Sequence, residues 1–198
     1  GPTPERSAAE YVKRNVTATI TDLSFARALD AEAAKQGKRA PVHVKVDTGM
    51  SRVGFFPHEI PSVLDELMSL PGIIIEGMFT HFAVADERRL DFTEYQFSGL
   101  ADALESAAAR GISIPFRHAC NSAGILARPD MYLDCVRPGV ILYGMYPSSE
   151  CPRSIALAPT FEDKTEVALV KELDRGMGVG YGLRYMARGP EKIAVLPV

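Results

Sequence analysis

Polar side chains able to do chemistry gather at four points of this sequence, each at or just after an apolar run. They are Lys45-Val46-Asp47-Thr48-Gly49-Met50-Ser51-Arg52, Thr80-His81-Phe82, His118-Ala119-Cys120-Asn121-Ser122 and Arg137-Pro138-Gly139-Val140. Taken singly, each has a plain structural reading. His81 suits a satisfied histidine at a strand end, and Arg137 a loop salt bridge. Asn121-Ser122 suits a cap for the next turn, Lys45 a strand residue facing solvent, and Asp47-Thr48-Gly49 a turn. Taken together, they describe one mouth lined by cations and donors. That chemistry fits a small anion, with a phosphate held by Ser122 and by exposed N–H groups near Gly139 and Val140.

For those groups to meet, the apolar runs that carry them must lie side by side. β-branched and apolar runs predict strands at 15–20, 41–47, 73–80, 114–119 and, in two pieces, 135–136 and 140–143. Between them, Thr21 or Asp22 caps a helix to about residue 36 that Gly37 closes. A second helix spans 62–70 after Pro61, a third spans 89–110 before Gly111, and a short turn covers 122–127. Strands alternating with helices, and apolar on both faces, predict an α/β fold with a parallel sheet covered by helices. In a βα barrel, chemistry collects at the C-terminal strand ends, where these polar groups fall.

The pattern changes near Pro147. Residues 147–159 read as loop, followed by strand-like runs at 165–173 and 192–198 around the Gly-rich stretch 176–182. The expected division is a partial barrel at 1–146 and the opening of a mostly β domain at 147–198.

Composition bounds the rest. The chain has 198 residues, a net charge of −3, 46% hydrophobic and 24% charged residues. Mild acidity argues against nucleic acid as a partner. No apolar run reaches the roughly 18–20 residues of a membrane span, and the opening residues lead to no expectation of a secretory signal. Its three cysteines, Cys120, Cys135 and Cys151, form no CxxC pair. They read as free thiols in a reducing cytoplasm, with no metal site. The length falls short of the roughly 250 residues of a full eight-fold barrel. The start lacks methionine and the end, Pro197-Val198, lies inside an apolar run, so a piece of a longer parent is expected.

The residues also carry a family resemblance. His43-Val44-Lys45-Val46-Asp47-Thr48-Gly49-Met50-Ser51-Arg52-Val53-Gly54 resembles a signature of the alanine racemases. So do Glu76-Gly77-Met78-Phe79-Thr80-His81-Phe82-Ala83, His118-Ala119-Cys120-Asn121-Ser122-Ala123, Val136-Arg137-Pro138-Gly139-Val140-Ile141-Leu142-Tyr143-Gly144 and Gly178-Val179-Gly180-Tyr181-Gly182. The blocks stand in the family's order and span nearly the whole chain. The resemblance implies a partial (βα)8 TIM-type barrel, about strands 4–8, followed by the start of a β domain, in a head-to-tail homodimer. It implies pyridoxal 5′-phosphate as cofactor and interconversion of L- and D-alanine, which in bacteria supplies D-alanine for cell-wall peptidoglycan.

The resemblance also implies roles. Arg137 would face the cofactor's pyridine nitrogen, and its pKa above roughly 12 makes it a poor proton donor to the ring. Ser122, Gly139 and Val140 would hold the phosphate. His81 would bond to Arg137 and orient it, and Asn121 would line the site. Arg52 would lie near the cofactor's phenolic oxygen and the substrate carboxylate. Lys45 resembles a lysine that is often carbamylated. Tyr181 resembles the acid/base that serves one face of the substrate Cα from the partner subunit. The lysine that holds the cofactor and serves the other face belongs to a motif this sequence lacks. The chain alone is therefore expected to be inactive, with open sheet edges that associate or destabilise it. A broad-specificity racemase acting on serine, and a non-catalytic cofactor-binding barrel, are the alternatives. The Gly178 to Gly182 stretch argues against the latter.

Overall fold

The computed structural model describes residues 2–197 in two compact units, Gly1–Pro159 and Thr160–Val198. The boundary falls at the end of the loop-like stretch 147–159. In the first unit, α1 (Ala8–Arg14) precedes a βα alternation: β1 (Ala18–Ile20), α2 (Leu23–Gln36), β2 (Ala40–Lys45), α3 (Ile60–Met68), β3 (Ile73–Phe79), α4 (Asp91–Ala109), β4 (Phe116–His118) and α5 (Ser122–Ala127). The strands form one parallel sheet in the order β1-β2-β3-β4.

Local chemistry explains the boundaries. Asp22 caps α2 by accepting from the Phe25 N–H at 2.9 Å, and Phe25, Ala26, Leu29 and Ala33 form the buried stripe. Phe56 N–H donates to Glu59 Oε2 at 2.7 Å in the turn that leads into α3. Pro115 cannot donate to a ladder, and β4 begins one residue after it.

Side chains alternate across the sheet. Val42, Val44, Val46 and Met78 are buried with Phe25, Leu29, Leu64, Leu67 and Leu100 of the helices. The register then fixes two rows on the opposite face. Thr19, His43, Gly77 and Phe116 align in one, and Lys45, Phe79 and His118 in the next. Between Val42 and His43 the register shifts, because Ile75 pairs with Val42 and Gly77 with His43, leaving Glu76 as a bulge.

Two expectations need correction. Residues 135–143 form no strand. Asp134 N–H donates to Arg117 O and Arg137 N–H to Cys120 O, both at 3.0 Å, which lays the segment along the β4 side. Pro138 then has no N–H to continue a ladder, and Val140–Tyr143 winds into a 3-10 turn. Residues 122–127, expected as a turn, make the short buried helix α5, with Asn121 Oδ1 accepting from the Gly124 N–H at 3.0 Å.

The second unit is antiparallel. β5 (Leu169–Leu173) pairs with β8 (Glu191–Val195), and β6 (Gly178–Val179) with β7 (Tyr185–Met186). Tyr181 stands in the turn between β6 and β7, fully exposed. Among the described residues, no helix is long and apolar enough to cross a membrane.

Candidate active site

At the C-terminal end of β2, Lys45 is buried, and its Nζ donates to Val46 O at 2.6 Å. The loop after it folds back, with Phe55 N–H donating to Lys45 O at 3.0 Å. Gly54 makes this return possible. Its φ is +105°, and a Cβ there would lie 2.6 Å from the Lys45 carbonyl oxygen. Asp47 shapes the same loop by accepting from the backbone N–H groups of Gly49, Ser51 and Arg52 at 2.9–3.1 Å. Burial works to raise the Asp47 pKa, but those N–H groups and the Lys45 charge hold it below the ordinary value. Its carboxylate is thus committed to the backbone. The Arg52 side chain is exposed at the rim.

Arg137 is the centre of the cluster. Its Nη2 donates to Thr80 O at 2.7 Å and Ala119 O at 2.9 Å, and its Nη1 bonds to His118 Nδ1. The expected bond to His81 is the longest contact, Nη2 to Nδ1 at 3.5 Å. The guanidinium carbon sits 5.2 Å from the Phe79 ring centroid, and Lys45 Nζ sits 5.8 Å from it. Arg137 hydrogen-bonds to carbonyls and imidazoles but to no carboxylate among the described residues. Burial accordingly pulls its pKa below the ordinary value.

The field of these cations is felt by their neighbours. Burial, then Arg137, Arg52 and Lys45, push His81 down to about 4. Burial, then Arg137 and His43, push His118 down to about 3. Both are neutral at physiological pH. Burial brings Lys45 to about 8, with Asp47 opposing and Arg137 and Arg52 reinforcing the shift. An amine in that range has a large unprotonated fraction near pH 8.

Beside Arg137, Gly139 N–H donates to Ser122 Oγ at 2.8 Å, so Ser122 keeps its own O–H as a donor. Val140 opens a helical turn, whose first N–H groups have no partner within it. Asn121 spends its amide on structure: besides capping α5, its Nδ2 donates to Phe82 O at 3.1 Å. The first unit therefore brings together Lys45, Arg52, His81, Arg137, Ser122, Gly139 and Val140. Tyr181 belongs to the second unit.

Sequence reasoning gave no role to two residues that hold this site. His118 is the closer imidazole partner of Arg137. Gln96 is fully buried on α4; its Nε2 donates to His81 O at 3.1 Å and its Oε1 accepts from the Ala83 N–H at 2.8 Å. Its position four residues before Leu100, on the buried face of α4, was the available signal.

The chain is similar in sequence and fold to known proteins. Residues 1–147 match the family described as alanine racemase, N-terminal domain. An alanine racemase of Clostridium perfringens is 43% identical over 201 residues, covering 100% of this chain and 52% of the relative. Alanine racemase 2 of Caldanaerobacter subterraneus subsp. tengcongensis is 39% identical, covering 100% of this chain and 51% of the relative. The solved structure of the alanine racemase of Clostridium difficile 630 superposes with a TM-score of 0.84 at 36% identity, covering all of this chain and 52% of that one. The chain thus spans about half the length of these relatives, and its first unit is part of their barrel. By these matches, the chain belongs to the alanine racemase N-terminal domain family.

Proposed function

We propose that this chain is the segment of a pyridoxal 5′-phosphate-dependent alanine racemase that holds the cofactor's ring nitrogen and phosphate. The observation that carries the reading is Arg137, a half-buried cation beside Lys45 and Arg52 with no carboxylate partner among the described residues. The Asp47 carboxylate is used up by its own loop. Such a cluster of cations favours a small anion. The donor set fits the cofactor: Ser122, Gly139 and Val140 would hold its phosphate, and Arg137 would hydrogen-bond its pyridine nitrogen.

When bound, pyridoxal 5′-phosphate supplies an electron-withdrawing ring that acidifies the substrate Cα–H. Arg137 would hold that nitrogen by donating a hydrogen bond, and a guanidinium is a poor acid that would keep its own proton. Neutral His81 and His118 add no competing charge around the guanidinium. Arg52 binds the alanine carboxylate. Lys45, when its free amine adds carbon dioxide and releases a proton, becomes a carbamate that pairs with Arg52. Tyr181 of a second copy takes or returns the proton at one face of the Cα, in a cytoplasmic homodimer. The lysine that holds the cofactor and serves the other face comes, on this reading, from outside these 198 residues. Residues 147–198 are then the opening of the β domain.

The test is D-alanine formation from L-alanine and pyridoxal 5′-phosphate. The reading frame that encloses this chain is expected to encode an active enzyme, and the 198-residue chain alone is expected to give none. Failure of the enclosing protein to racemise alanine, or turnover by the chain alone, would overturn the proposal.

A further inference from the structure

Beside the cation cluster lies a third imidazole, His43, that the proposed reaction does not use. His43 Nδ1 and His118 Nε2 are 2.9 Å apart, and the other nitrogen of His118, Nδ1, bonds to Arg137. Proton bookkeeping settles the direction of this chain. A guanidinium has donors and no acceptor, so His118 Nδ1 must accept. The His118 proton is then on Nε2, and it donates to His43 Nδ1. The His43 proton must therefore be on its own Nε2. Protonation of either ring at both nitrogens would set donor against donor.

The packing around His43 is fitted to this role. Its row partner is Gly77, where a Cβ would lie 2.5 Å from the His43 ring. Only glycine lets the imidazole lie flat against β3 and reach β4. The Glu76 bulge sets that pairing; without the extra residue, His43 would face a side chain. Phe116 stacks on His43 at 6.1 Å between centroids, and Phe79 on His118 at 4.5 Å. The groups facing His43 are Glu76 of β3, His118 and Phe116 of β4 and, toward the strand starts, Thr17 and Thr19. Glu76 is itself engaged by the Thr17 hydroxyl at 3.4 Å.

We propose that His43 is a positioning residue: by accepting from His118 Nε2–H, it fixes the orientation of His118 and, through it, of the Arg137 guanidinium. What Arg137 then holds rests on the racemase reading; the relay itself does not.

The test uses the 198-residue chain labelled with 15N, in which only four histidines contribute imidazole signals. At pH 7, both His43 and His118 are expected as neutral Nε2–H tautomers, with a coupling across the hydrogen bond between His118 Nε2 and His43 Nδ1. This measurement needs no variant. A His43 ring protonated at Nδ1, or absence of the coupling in the folded chain, would overturn the proposal. His43→Leu is expected to speed exchange of the Arg137 Nη protons and of His118 Nε2–H, and to weaken binding of pyridoxine 5′-phosphate about threefold to tenfold, the weight of one neutral hydrogen bond. His43→Asn, whose Oδ1 can occupy the place of Nδ1, should restore both. Unchanged exchange in His43→Leu, or no rescue by His43→Asn, would also refute it. If the coupling is seen but the ligand does not bind, the cofactor reading fails and the relay stands.

Discussion

Replacing Arg137 by methionine isolates what its guanidinium does for the fold. Methionine keeps most of the hydrocarbon stem against Phe79 but removes every donor. The carbonyls of Thr80 and Ala119 lose partners at 2.7 and 2.9 Å, and His118 Nδ1 loses its donor. Hydrogen bonds to a charged group contribute about 1.5–3 kcal/mol each, so the two carbonyls together stand to lose about 3–6 kcal/mol. Against this, the variant no longer buries a cation, a cost visible in the lowered Arg137 pKa. Allowing about 1–2 kcal/mol for that relief, the net loss is about 2–4 kcal/mol, because the carbonyls of fully buried Thr80 and Ala119 find no replacement partner. That is a large part of the roughly 5–15 kcal/mol typical of a domain. Arg137→Lys keeps the charge but cannot span three acceptors in a fork, so it should lose about 1–2 kcal/mol. Urea unfolding followed by far-ultraviolet circular dichroism measures both. The expected order of stability is arginine, lysine, methionine. An Arg137→Met chain as stable as the parent would mean that the site's donors contribute nothing net and that the buried cation is simply a burden.

Other outcomes follow from the same geometry. Because folded His81 and His118 titrate near 4 and 3, against 6.5 for the free side chain, the unfolded chain takes up their protons first. Stability is therefore full above about pH 6.5 and falls as pH drops toward 4, and a flat urea midpoint across that window would contradict it. Gly54→Ala forces a side chain into φ +105° and against the Lys45 carbonyl. It should cost about 2–4 kcal/mol in the same unfolding assay. Lys45, with a pKa of about 8, is expected to carry a carbamate in 13C-bicarbonate near pH 8, seen as a 13C resonance that Lys45→Gln abolishes.

Elements whose signals are local were legible in the sequence. The α2 helix follows from the Asp22 cap and the spacing of Ala26, Leu29 and Ala33, and β2 from its alternating valines. The run Val140–Tyr143 was not, since four apolar residues suit a strand or a helical turn equally and Pro138 decides between them only in context. Within the site, the motif residues at 45, 52, 81, 122, 137, 139 and 140 stood out only together, by their grouping at strand ends and by the family resemblance. Gln96 and His43 did not. The partners of Gln96 lie in the loop after β3, and the role of His43 depends on a register shift at Glu76 that no local pattern encodes. Non-local register is set by the sum of core contacts, so residues whose work depends on it read as ordinary helix or strand positions.

On the proposed reading, the mouth around Arg137, Ser122 and Gly139 receives a phosphorylated pyridine. Calorimetric titration of the chain with pyridoxine 5′-phosphate and, separately, with pyridoxine tests this reading, because neither ligand has an aldehyde to couple with surface lysines. Saturable binding at least about tenfold tighter than that of unphosphorylated pyridoxine, and lost in Arg137→Met and Ser122→Ala, is the predicted result. Equal binding of the two ligands, or binding that both variants retain, would contradict the claim.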